Sequence, residues 1–367
     1  MKERVKEVRD YLHASPEASG QEEKTAAYLA EELRKAGYEV RKVTTGGHGV
    51  VGILKGAEPG SVVGVRGDID ALRHVVDGKE VCVHSCGHDA HAAMALALAE
   101  ETAKAGIKRG TLKVFFQPAE ETLMGARGMI EAGLTADLDY MFGIHLRPIQ
   151  EAKAGQATAA LWHGASYKME ASISGRTAHG ARPHLGVNAI DAAVLVVNAL
   201  NCIWENPVEG WSAKVTKFNS NSLISNAVPD GVDLVFDLRA QKNAVMESML
   251  QKIGGIVTSV PAGLGAVGTV KNTDGVPAAE YDDEAIALLE EAIVATLGQD
   301  GLLPPIVTPG ADDFHFYKKA KPSIKAAFIG LGANLAPGLH DPSMTFDENV
   351  LPGGVNILKH AVNRLLG

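Results

Sequence analysis

The run HSCGHDAH places His84, Cys86, His88, Asp89 and His91 within eight consecutive residues. Imidazole, thiolate and carboxylate are the side chains that bind zinc and related divalent ions. Packing alone gives no reason to crowd three histidines around a thiol and an acid. All five are therefore candidate metal ligands. Cys82 lies four residues before Cys86 and reads as a small buried apolar residue.

Four further polar positions follow apolar runs of strand type. Asp68 and Asp70 follow SVVGV, Glu120 and Glu121 follow LKVFF, and His145 follows YMFGI. His340 comes a short loop after SIKAAFIGLG. Singly, each reads as a turn or surface residue. Jointly they occupy the strand ends where α/β sheets present ligands. Two adjacent glutamates facing one pocket suit a division of labour, one binding metal and the other moving protons.

The elements that must position these groups alternate between helix and strand. Val5, Val8 and Leu12, then Ala26, Leu29 and Leu33, recur at helical spacing. Residues 49–54, 61–65, 112–116 and 140–144 read as strands, and a helix over 92–105 is expected after the ligand run. This order predicts an α/β domain with a mainly parallel sheet. Near residue 165 the pattern changes to alternating polar and apolar over 167–174. A helix over 186–204, strands at 215–218 and 232–238, a helix over 244–257 and a strand at 267–270 complete a β-α-β-β-α-β block. That is the ferredoxin-like order. The expected division is 1–165 with 275–367 as one domain and 166–274 as its insertion.

At 367 residues the chain exceeds the usual limit of a single core, consistent with two domains. A net charge of -9 with no Lys/Arg run argues against nucleic acid as a partner. Three cysteines, Cys82, Cys86 and Cys202, cannot all pair and are too few for a disulfide scaffold. The start MKERVKEVRDYLHASPE is charged and amphipathic, unlike a signal peptide, and no apolar run suits a membrane span. A reducing cytoplasm is the expected location.

Together HSCGHDAH, QPAEE, GIH, GRTAHGARPH, NAVPD and GLHDPSMTFDE resemble the motif set of the M20 metallopeptidase family. The match is with its amidohydrolase branch of N-acyl-amino-acid, hippurate and indole-acetyl-amino-acid hydrolases, and it runs in order along nearly the whole chain. The resemblance implies a zinc-peptidase-like catalytic domain with two divalent ions (zinc, manganese or cobalt). It also implies an inserted lid domain through which a homodimer forms. By motif, Cys86, His88, Glu121, His145 and His340 would be the metal ligands. Glu120 would be the general base, and Asp70 an acid that holds a ligand from behind. His179 would stabilise the oxyanion, reaching a neighbouring active site, and Asn226 and Arg239 would bind substrate. The implied substrate is an N-acyl amino acid or related small amide, cleaved by metal-activated water. The alternatives are a dipeptidase or carboxypeptidase of the same family, or a non-catalytic ligand-binding relative. Retention of both glutamates argues against the last. One departure concerns 73–83, a compact loop carrying Arg73, His74 and Lys79 where the family usually has a proline and a longer loop.

Overall fold

The computed structural model describes residues 1–367 as two compact units. The larger comprises Met1–Trp162, Glu280–Val307 and Asp312–Gly367; the smaller comprises His163–Ala279 and Thr308–Ala311. The smaller unit is thus wider than 166–274 at both ends. The His163 carbonyl accepts the Ala279 N–H at 2.9 Å, tying the entering chain to the leaving one. The Gly164 N–H donates to the Gly310 carbonyl at 3.0 Å, which draws in the second short segment.

The larger unit is built on an eight-stranded sheet. Its centre is four parallel strands in the order Arg109–Gln117, Glu58–Asp68, Tyr140–Pro148 and Lys325–Leu335. Glu39–Val43 and Gly49–Lys55 extend one side antiparallel, and Ala157–Thr158 with Leu302–Leu303 finish the other. Alternate side chains feed two separate apolar clusters. Leu112, Val114, Phe116, Phe142 and Ile144 enter one, while Phe115 and Met141 enter the other. That is the period of two expected of strands with apolar material on both faces.

The helix expected after the ligand run begins inside it, spanning His88–Ala105. Gly87 makes this possible: it turns the chain with φ 84°, a left-handed conformation that costs glycine least. Every residue from His88 to Ala99 is buried, so this helix is wrapped in core on all sides. The loop 73–83 is also more regular than its sequence suggests. It forms a hairpin of Leu72–Val76 and Lys79–Val83, turned by Asp77 and Gly78, both at positive φ. Cys82 on this hairpin is half-buried, not buried.

The smaller unit has four antiparallel strands in the order Trp211–Ser220, Gly231–Ala240, Ala165–Ser174 and Val267–Val276. Helices Ala189–Leu200 and Asn243–Ala262 complete a β-α-β-β-α-β chain, and the spatial order is the ferredoxin-like one. Val232, Leu234, Phe236, Leu238 and Ala240 are buried at every second position of one strand. The first helix is shorter than 186–204 because Asn188 Oδ1 accepts the Ile190 N–H at 2.9 Å and caps it. No helix in the chain is long and apolar enough to cross a membrane.

Candidate metal centre and active site

Parallel register brings the carboxyl ends of the central strands side by side: Asp68 lies opposite Gln117, and His145 opposite Gly330. Asp70 and the Pro118–Ala119–Glu120–Glu121 turn follow two of these strands directly. His145 is within its strand, not beyond it, because polar but buried His145 and Arg147 continue the pairing to Pro148. His340 arrives on the loop after Lys325–Leu335, and its N–H donates to the Ser85 carbonyl at 2.8 Å. Ala119, Leu123 and His340 all have left-handed backbones, at φ 50°, 59° and 65°. Non-glycine residues in that region carry strain, and here the strain brackets the two glutamates and marks His340.

The structure brings together all five residues that the motif assigns to metal. Cys86 Sγ lies 3.5 Å from His145 Nε2. His145 Nδ1–H donates to the Leu146 carbonyl at 2.6 Å, which leaves the Nε2 lone pair facing the thiol. His88 is oriented the same way: Nδ1–H donates to Asp70 Oδ1 at 3.0 Å, and Nε2 points inward. That Nε2 stands 3.9 Å from Glu121 Oε1 and 4.0 Å from Glu120 Oε2. Glu121 Oε1 is in turn 3.3 Å from His340 Nε2, close enough for an ion pair. Three overlapping groups have donor atoms within 4.8 Å of one another: Cys86–His88–His145, Cys86–Glu121–His340 and His88–Glu120–Glu121.

Two of these atoms, His88 Nε2 and Glu121 Oε1, are buried without a geometrically good hydrogen bond, the second having only its contact with His340. An orphaned donor or acceptor is costly in a folded core, so a pair of them aimed at one spot needs an occupant. A set of thiol, imidazole and carboxylate fits divalent ions such as zinc, manganese or cobalt. Asp70 fixes the tautomer of His88, as outer carboxylates do for ligating histidines. It also accepts the Glu121 N–H at 3.1 Å and the Ser19 hydroxyl.

The other members of the ligand run are placed elsewhere. His91 uses both nitrogens: Nδ1–H donates to Asp68 Oδ1 at 2.7 Å, and Nε2 accepts the Leu146 N–H at 2.9 Å. Asp89 turns away to His13 Nδ1 at 2.7 Å and Arg9 Nε at 3.0 Å. His84 is buried with no partner on either nitrogen and belongs to none of the donor groups.

Glu120 is 7% exposed and shares its surroundings with Asp312 and Asp313, whose oxygens lie within 4.8 Å of its own. Burial pushes its carboxyl well above the ordinary range, and Asp312, Glu121 and Asp313 add to the effect. Burial also raises the Cys86 thiol and lowers His145. His88 is raised, because Asp68, Cys86 and Asp70 outweigh its burial. Behind this group sits Arg66, fully buried. It donates to Asp312 at 3.1 Å, Asp313 at 3.0 Å, Gln117 at 3.1 Å and, in a shorter contact, Asp68.

Arg66, Asp312 and Asp313 escaped the sequence reading. An arginine within the apolar run SVVGVRGD was a signal for the first; the acidic pair in PGADDF looked like any surface turn.

His179, Asn226 and Arg239 all lie in the smaller unit. His179 pairs with Ala227 across two short strands, and Gly180 N–H donates to the Asn226 carbonyl at 2.7 Å, so these two positions adjoin. Arg239 is on the sheet, bonded twice to Asp237 at 2.9 Å.

The sequence profile of peptidase family M20/M25/M40 matches residues 64–364. The probable hydrolase sll0100 of Synechocystis sp. is 33% identical over 98% of this chain and 94% of its own length. The hippurate hydrolase of Campylobacter jejuni is 30% identical over 94% of this chain and 92% of its own. A solved structure from methicillin-resistant Staphylococcus aureus, provisionally assigned as an aminohydrolase, superposes with a TM-score of 0.88 at 27% identity. It covers 100% of this chain and 97% of that one. The chain belongs to peptidase family M20/M25/M40. It is an enzyme of the amidohydrolase and peptidase class.

Proposed function

We propose that this enzyme is a metal-dependent amidohydrolase that cleaves N-acyl amino acids or related small amides. The observation that carries this reading is the convergence of three buried donors, the half-buried Glu121 and the exposed His340, with Glu120 beside them. Similarity to a hippurate hydrolase, an enzyme named for an N-acyl amino acid, supports the substrate class.

Cys86, His88, Glu121, His145 and His340 would hold divalent ions, which when bound polarise an amide carbonyl and acidify water. Glu120 makes no assigned metal contact, so its carboxylate takes a proton from the attacking water and returns it to the departing amine. Asp70 keeps His88 in one tautomer throughout. His179 stabilises the oxyanion, and Asn226 and Arg239 bind substrate. Native location is the cytoplasm in this reading, with a homodimer through the smaller unit.

Five ligands are too many for one tetrahedral zinc. Protein purified without chelator should therefore contain about two metal ions per chain. Elemental analysis decides this, and a value near zero after reconstitution with zinc, manganese and cobalt removes the metal centre. Reconstituted protein should free amine from acetyl- and benzoyl-amino acids faster than from dipeptides. The reverse order would make it a peptidase.

If His179 serves a neighbouring subunit, His179→Ala and Glu120→Gln proteins should each be nearly inactive, yet partly active when mixed. Loss of one oxyanion donor lowers kcat by about 10²–10³. No recovery, despite verified subunit exchange, places His179 in its own chain's site or outside catalysis.

A further inference from the structure

Glu22 is fully buried, immediately before the helix Glu23–Lys35, and no cation lies in ion-pair contact with it. Its carboxylate instead meets backbone N–H groups from three separate segments. Oε1 accepts from Gly20 at 2.6 Å and from Ala119 at 2.9 Å, while Oε2 accepts from His48 at 3.3 Å. Gly47 lets the carboxylate approach: its φ is 127°, and a Cβ there would lie 3.2 Å from Glu22 Oε2. Ala119 is the left-handed residue directly before Glu120.

We propose that Glu22 is a positioning residue that locks the strained Ala119 turn and so aims Glu120 at the reaction centre. An acceptor-only group is required, because all three partners are donors. A strained, left-handed alanine persists only where its surroundings over-determine it, and Glu22 supplies the bond to its N–H. Ser19, on the same short segment, donates to Asp70. The stretch from Ser19 to Glu22 therefore braces both the carboxylate behind His88 and the turn that carries the base. The inference rests on Glu120 being the base.

Glu22→Ala and Glu22→Gln, with kcat expressed per folded, metal-loaded chain, test it. The single carbonyl oxygen of glutamine can still serve Gly20 and Ala119 but not His48. The expected order of kcat is wild type, then Gln, then Ala, with Ala at least about tenfold below wild type. KM and metal content should stay within about threefold and near normal, respectively. Glu17 is the control, since its carboxylate caps the same helix through Lys24 and Thr25 and touches nothing in the Ala119 turn. Glu17→Ala should lower the Tm and leave kcat unchanged. Should Glu22→Ala fail to fold, Glu22→Met decides, since it keeps the length of the side chain but accepts nothing from Ala119: a tenfold or greater loss of kcat at constant KM supports the role, and wild-type kcat overturns it. An equal loss of kcat in Glu17→Ala also overturns it, as general loosening would explain both. Glu120→Gln run alongside separates the two levels. If it stays active, the base assignment falls and this role with it; if it is inactive while Glu22→Ala is fully active, only the role of Glu22 falls.

Discussion

Glu120→Gln should abolish nearly all turnover while leaving the protein at least as stable as before. Positioned general acid–base groups contribute about 10²–10⁴-fold, so kcat should fall by at least about 10². Stability should move the other way, for a reason visible around the side chain. Glu120 is crowded by Asp312, Asp313 and Glu121, and its carboxyl is raised by burial and then by them. A raised carboxyl means that the folded state holds its proton to higher pH than the unfolded chain does. Stability from this group is then present below the unfolded pKa and is lost as pH rises toward the folded one. Glutamine carries no such charge, so the variant escapes that loss. Urea denaturation of metal-free protein at pH 5 and pH 8 should show Glu120→Gln gaining on wild type at the higher pH. Metal content after reconstitution should stay close to two, in contrast to Glu121→Gln, which should lower it. Retention of most activity would sink the assignment of the base.

The second large effect concerns Arg66, whose replacement by Met should cost about 3–5 kcal/mol of folding stability, as removing one partner of a buried ion pair typically does. Its guanidinium is the one Arg or Lys cation paired with Asp68, Asp312 and Asp313, all of them buried. Asp68 is held well below its ordinary range, where Arg66, His88 and His91 overcome its burial. Asp313 is pushed up to about 7, since burial and Asp312 outweigh Arg66 there. Without the guanidinium, three acids would share a dry pocket. Arg66→Lys should recover little, because one ammonium cannot reproduce a planar fork that reaches four side chains. The change in urea midpoint, at constant slope, measures this. A loss under about 1 kcal/mol would mean that the acids are already neutral in the folded protein. Asp68 also orients His91, which accepts the N–H next to His145, so reduced metal affinity should accompany the loss of stability.

What could be seen in the sequence follows from how local each signal is. Ligand types crowded into HSCGHDAH are visible without any fold, and so are apolar runs ending in acids or histidine. Period-two alternation over 167–174 likewise marked a sheet with only one face in a core. Sequence spacing could not separate His88 from His91, which both lie in the first turn of one helix. What differs is the partner of each nitrogen, Asp70 for one and Asp68 with Leu146 for the other. The carboxylates around Glu120 were hidden for a related reason: Asp312 meets Arg66 across 246 positions of chain. Glu22 looked like one more acid at a helix start, and only its burial against three amides distinguishes it.

The central sheet is assembled from both ends of the chain, and that has consequences during translation. Lys325–Leu335 lies beside Tyr140–Pro148, and Lys325 pairs with Tyr140 185 positions earlier. At roughly 5–20 residues per second, a ribosome needs about 10–40 s to deliver the missing strand. Throughout that interval the nascent chain presents an apolar strand with one unpaired edge, the kind of surface on which chains stick to each other. The inserted unit, nearly complete once Ala279 has emerged, can close on its own core meanwhile. Asp312, Asp313 and His340 are synthesised after that unit, so the proposed centre is incomplete until His340 has emerged. Until then the waiting sheet is where holding chaperones would be needed most.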